Sequence, residues 1–255
     1  MLKLLGASAL LSTIVYMCFE SQKETYNYKP APVTYLTEQQ TRHLILTDFD
    51  NFGHTLNPAN LKASGVESLQ ECLEKWASSS TAWTTPQKTK IAQAVEEVQI
   101  KLRTIPAFSK SFQDQMNGIE WNVAATIYPY YLQGLPHTRG DIIFLTDKLV
   151  STYSVAQLAD ILLHEKTHVW QRKFPEKMQQ WMKMHGFELV GPADNLERRN
   201  PDNDGQIYKN ESDQQLGVRF TSAYPKDMTD VVYSEHLDHP YEQFASQVQE
   251  RGRIV

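Results

Sequence analysis

Ser154-Val155-Ala156-Gln157-Leu158-Ala159-Asp160-Ile161-Leu162-Leu163-His164-Glu165-Lys166-Thr167-His168-Val169-Trp170 is the stretch whose reading decides the fold. Residues 154–157 have the form of a capping box, in which a serine and a glutamine three residues on satisfy free backbone N–H groups at a helix start. At about 100° per residue, Val155, Leu158, Ala159, Leu162, Leu163, Val169 and Trp170 gather within roughly 140° of arc. The spacing predicts an amphipathic helix with that stripe turned to a core. His164 and His168 fall on the opposite side, one turn apart, so both imidazoles can reach one metal ion. Glu165 projects beside them, where it can activate a metal-bound water without being a ligand. Two ordinary surface or core histidines are the plainer alternative, but the pair lies off the apolar stripe and beside a glutamate, which favours a metal. Lys166 falls inside the apolar arc, which predicts that its ammonium snorkels out to water. Asp160 lies one turn before His164, either orienting that imidazole or simply solvated.

A catalytic zinc needs three protein ligands and a water. Downstream, His239-Pro240-Tyr241-Glu242-Gln243-Phe244-Ala245-Ser246 reads as the start of a second helix, with Pro240 in the first turn and Phe244, Ala245 and Val248 at helical spacing. Glu242 would project from that rigid element. Here the chain resembles the gluzincin zinc metallopeptidases, whose pattern is HExxH followed by a glutamate on a second helix. The string Glu242-Gln243-Phe244-Ala245 is similar to the Glu-x-Phe-Ala stretch that carries the ligand in some aminopeptidases of that group. The resemblance covers residues 140–250 and is absent from the N-terminal half. About 70 residues separate the motif from Glu242, enough for an inserted subdomain. Ser246 stands where thermolysin-like members carry an aspartate. Glu235, His236, Asp238 and His239 are rival ligands.

The resemblance implies an α+β, zincin-like fold. Its parts are an N-terminal helical layer, a small mixed sheet with an edge strand before the HExxH helix, and a second ligand-bearing helix near the C-terminus. It implies one Zn2+ per chain on His164, His168 and Glu242, and hydrolysis of a peptide or protein substrate with Glu165 as general base. Tyr233, Tyr208, Tyr241 or His236 could serve as the electrophile that such enzymes add. Two other readings compete. One is a catalytically silent, membrane-anchored zincin-like binding domain, disfavoured because a structural site needs no Glu165. The other is a metal-dependent hydrolase of a non-peptide amide.

The 255 residues suffice for one sizeable domain, or one domain with a small appendage, and a hydrophobic content of 41% is ordinary for a globular chain. A net charge of −5, without a Lys/Arg cluster interleaved with aromatics, argues against nucleic acid as a partner. Residues 1–24 stand apart: after Lys3 come sixteen uncharged, mostly apolar residues, then Glu20. The segment reads as a signal anchor or a signal peptide, and either places the catalytic domain outside the cytoplasm, membrane-anchored or secreted. Residues 25–35 read as a linker and 36–255 as a single domain, helical over 36–120 and zinc-binding over 121–255. Cys72 is alone in the body of the chain, so no disulfide within the domain is expected.

Within that domain, helices are expected over residues 37–48, 61–77 and 87–105, packed as one layer. Residues 121–131 read as extended, 136–140 as a turn, and 141–146 as the edge strand. The resemblance assigns that edge to pairing with an extended substrate. A short helix follows at Pro175–Met184. Residues 198–205 read as a turn-rich loop whose acidic and amide side chains lack EF-hand spacing. Residues 215–224 and 230–233 complete the insert as strands.

Overall fold

A computed structural model of the chain describes residues 32–232 and 238–252. The hydrophobic leader, most of the linker, Tyr233, Glu235 and His236 lie outside the described residues. No helix among those described is long and apolar enough to cross a membrane.

Strand β1 (Val33–Tyr35) leads into α1 (Glu38–Leu46), which begins at a capping box between Thr37 and Gln40. The expected helix over 61–77 is two helices, α2 (Pro58–Ala63) and α3 (Leu69–Ala77). Gly65, at φ +68°, turns the chain out of the first, and the Ser68 hydroxyl caps the second. After β2 (Ser80–Thr81), a second capping box, Thr84 with Gln87, opens the long α4 (Thr85–Thr104). A short α5 (Lys110–Asn117), capped by Ser109, was not expected from the sequence. Then come β3 (Trp121–Thr126), β4 (His137–Arg139), β5 (Ile142–Thr146) and α6 (Asp147–Thr152). The histidine-bearing helix is α7 (Val155–Lys173), followed by α8 (Pro175–Met184).

The main sheet has the order β1-β3-β5-β4, with β2 also paired to β3. Its β1, β3 and β5 are parallel, while β2 and β4 run antiparallel, so the sheet is mixed as expected. The strand expected at the edge, β5, is interior. The edge beside α7 is β4, three residues lying within the stretch read as a turn. Pro136 and Gly140 frame it so closely that turn signals mask the strand between them.

Alternate residues of β3 and β5 point to opposite faces. Val123, Ala125, Ile143 and Leu145 pack with Val95, Val98 and Leu102 of α4 and Leu158, Leu162 and Leu163 of α7. Ala124, Ile142 and Phe144 pack with Ile45 of α1 and Cys72, Leu73 and Trp76 of α3. The N-terminal helices therefore do not form one layer. Both sheet faces are apolar and both need cover, so α1 and α3 take one face while α4 shares the other with α7. The fold is α+β.

Between α8 and the last helix the chain builds a small antiparallel sheet, β6 (Glu188–Pro192), β7 (Gln206–Lys209) and β8 (Gln215–Leu216), and a separate pair, β9 (Arg219–Phe220) with β10 (Val231–Val232). Gly217, at φ +131°, breaks the strand expected over 215–224. Helix α9 (Pro240–Arg251) closes the described chain against α7.

One buried charge ties the first face together. Arg139 is fully buried, its Nη2 2.6 Å from Asp48 and also bonded to Asp50, and its Nη1 donates to Tyr131 Oη at 3.0 Å. Burial alone would raise the Asp48 carboxyl, but the Gly53 N–H, His54 and Arg139 outweigh it and hold its pKa below the usual range.

Candidate metal centre

Helix α7 starts as its sequence predicts, with the Ser154 hydroxyl accepting from the Gln157 N–H and the Gln157 side chain returning the bond. Leu158, Ala159, Leu162, Leu163, Val169 and Trp170 are all buried. Lys166 does not snorkel. It is 1% exposed, its Nζ donating to Ile119 O at 2.8 Å and sitting 3.7 Å from the centroid of Trp121. A carbonyl and a ring face replace water around the ammonium, at the cost of a pKa pushed down by burial to about 7.

The opposite side of α7 meets α9. His239 caps α9, its Nδ1 accepting from the Tyr241 N–H, and Pro240 occupies the first turn. Glu242 then sits in the same first turn, facing the two histidines. Its Oε2 is 3.3 Å from His164 Nε2 and 3.6 Å from His168 Nε2, and the two imidazole nitrogens are 3.0 Å apart. Tetrahedral ligands at zinc bond lengths of about 2.05 Å lie about 3.3 Å from one another. The donor set, two imidazoles and one carboxylate, is also one that zinc accepts. Among the described residues, these three form the one group of candidate ligands whose donor atoms all fall within 4.8 Å of one another.

Two amides hold these donors in place. His168 Nδ1 donates to Gln171 Oε1 at 2.8 Å, which leaves Nε2 with its lone pair on the Glu242 side. Gln171 Nε2 donates in turn to the Tyr241 carbonyl at 2.8 Å, so one side chain links both ligand helices. Asn200 Nδ2 donates to Glu242 Oε1 at 2.6 Å, leaving Oε2 to the histidines. His164 Nδ1 is buried without a partner. Asp160 therefore does not orient it; Asp160 pairs with Lys101 of α4 at 2.8 Å.

Three carboxylates, Glu165, Asp202 and Glu242, surround two imidazoles. Burial drives the Glu165 carboxyl well above its ordinary range, and the Asp202 and Glu242 charges add to that. On His168, burial lowers the pKa, but Asp202 and Glu242 reverse the effect and raise it to about 9. Partial burial alone would raise the Glu242 carboxyl, yet the two histidines hold it well below the usual carboxylate range. A cation placed among these groups would meet a strongly favourable field.

The site opens into a cleft of about 400 Å³, within the range of ligand pockets. Leu135, Pro136, Ile161, Val218 and Met228 supply its apolar lining, and His164, Glu165, Asn200 and Glu242 its polar floor. Of the other sequence candidates, Asp238 and His239 line this cleft but lie outside the ligand cluster. Tyr241 is buried with its hydroxyl directed at Asp204, which also takes the Tyr208 hydroxyl at 2.6 Å. Tyr233, Glu235 and His236 lie outside the described residues. Sequence reasoning missed Gln171, Asn200 and Asp202. The i+3 spacing of Gln171 from His168 could have signalled the first; the others lie in the acidic and amide-rich loop at 198–205, which nothing local links to the histidines. Comparison with known protein families, curated proteins and solved structures finds no match to this chain.

Proposed function

We propose that the chain is a zinc-dependent hydrolase of amide bonds, with peptides as its substrates and a zincin-like arrangement of α7, β4 and α9. The observation that carries this reading is the convergence of His164 Nε2, His168 Nε2 and Glu242 Oε2 at tetrahedral spacing, with Glu165 in the same cleft. Zinc bound there would supply a Lewis acid that makes water more acidic and polarises a carbonyl.

The remaining work falls to side chains. Glu165 Oε2 is buried and has no protein partner, so it can take the proton of an attacking water and return it to the leaving amine. Gln171 and Asn200 fix the ligands so that little reorganisation accompanies the reaction. The apolar walls exclude bulk water and accept a side chain of the substrate. The hydrophobic leader would anchor the domain to a membrane or direct its export, with catalysis outside the cytoplasm.

The test is elemental analysis of the protein alongside Glu242→Ala, His168→Ala and Glu165→Gln, with a peptide-library screen. One zinc per chain, lost in the first two variants and kept in Glu165→Gln while turnover disappears, is the expected result. No zinc in folded wild-type protein after reconstitution would sink the reading.

A further inference from the structure

The edge of the main sheet is already filled. In the pairing of β4 with β5, Thr138 lies opposite Ile143, between the His137–Phe144 and Arg139–Ile142 pairs. The Thr138 N–H donates to Asp202 Oδ1 at 2.7 Å, and its hydroxyl donates to the same oxygen at 2.6 Å. The Thr138 carbonyl accepts from Arg172 Nη2 at 3.2 Å, and the Gly140 carbonyl accepts from Arg172 Nη1 at 3.2 Å. Two residues before Thr138 on the same side stands Pro136, which has no N–H. An incoming strand needs a free donor and acceptor at every second residue. Along β4 it would meet a proline, then a carboxylate, then a guanidinium.

The segment that fills the edge is bolted down. Asp202 and Thr138 are buried. Arg172 also bonds the Pro201 carbonyl at 2.5 Å. Further along the same loop, Asn57 donates to the carbonyls of Asp194 and Glu197, and Asn60 donates to that of Glu197 and accepts the Arg199 N–H. Asn200 holds the Glu242 carboxylate. Displacing Asp202 would therefore pull on a metal ligand.

We infer that Asp202 and Arg172 permanently occupy the position an extended substrate strand would take, so that the cleft accepts short peptides or chain ends gripped by side chains and not polypeptide laid along β4. This rests on the hydrolase reading above and narrows its substrate class. Affinity should come from one or two residues in the cleft and gain little from added length.

The test uses zinc-loaded full chain and peptide hydroxamates of one, three and six residues, titrated calorimetrically. Amide hydrogen exchange at Thr138 is followed in parallel. The expected result is less than about a threefold change in Kd from three to six residues, with Thr138 protection the same in the free and bound protein. Asp202→Asn, which keeps an acceptor oxygen at the edge, should keep the flat dependence of Kd on length whatever its absolute affinity, whereas in Asp202→Ala the six-residue compound should bind about tenfold better than the three-residue one. A tenfold or greater gain with length in the wild type overturns the inference and leaves the hydrolase reading standing. Failure of every hydroxamate to bind the zinc-loaded protein overturns both.

Discussion

Gln171 spends one amide on two tasks: its oxygen fixes the tautomer of His168 and its nitrogen holds the backbone of α9. Replacing it with leucine keeps the volume and removes both bonds. Zinc affinity of Gln171→Leu should fall roughly 10- to 100-fold, read by competition with a chromogenic chelator. Unchanged affinity would show that packing alone orients the imidazole. A second residue reports through pH. Glu197 is buried, and burial raises its carboxyl from 4.5 to about 7 despite the nearby arginines. Between those values the native protein holds a proton that the unfolded chain has released, so stability falls as pH rises across this window. Glu197→Gln should gain about 2 kcal/mol over wild type at pH 8 and nothing near pH 4, measured by urea unfolding. Glu197 was silent in the sequence, and Gln171 was signalled only by its i+3 spacing from His168. Its second partner, the Tyr241 carbonyl, lies 70 positions away.

At the scale of elements, local chemistry was legible wherever it was self-contained. The capping box at Ser154 and Gln157, the start and end of α8, and Pro240 at the head of α9 all stand as read. Ser154→Ala should cost about 1 kcal/mol in thermal or urea unfolding and leave zinc content unchanged, because it frays the far end of α7 from the ligands. Loss of zinc in that variant would mean that the motif depends on the helix start. Elements that depend on partners were misread. Strand β4 is three residues long and exists because β5 lies beside it. The helices α1, α3 and α4 were correctly seen as apolar, but amphipathicity does not say which sheet face a helix covers. Lys166 was expected to escape to water, and only the tertiary placement of Trp121 and the Ile119 carbonyl makes its burial tolerable. The Arg139 network was equally invisible, since Asp48 and Asp50 lie far from Arg139 in the chain.

For the molecule as a whole, the two large apolar clusters flanking the sheet contain none of the three candidate ligands. Stripping the metal with a chelator should therefore leave far-UV circular dichroism nearly intact while lowering the melting temperature. With free zinc at 1,000 times its Kd, linkage makes the difference about 4 kcal/mol. Global unfolding on chelation would contradict this division of labour. The HExxH pattern and Glu242 named the three candidate donors and their separation in the chain, but not that the two helices bring them within 3.6 Å of one another. His164 and Glu242 are 78 positions apart. A metal held between them would close the intervening chain into a ring in the native state alone, a reversible cross-link whose worth is the linkage energy just given. Such a staple would have a direction of failure: with the metal gone, the contact between α7 and α9 loosens first, and residues 185–232 should become the first stretch that a protease can nick.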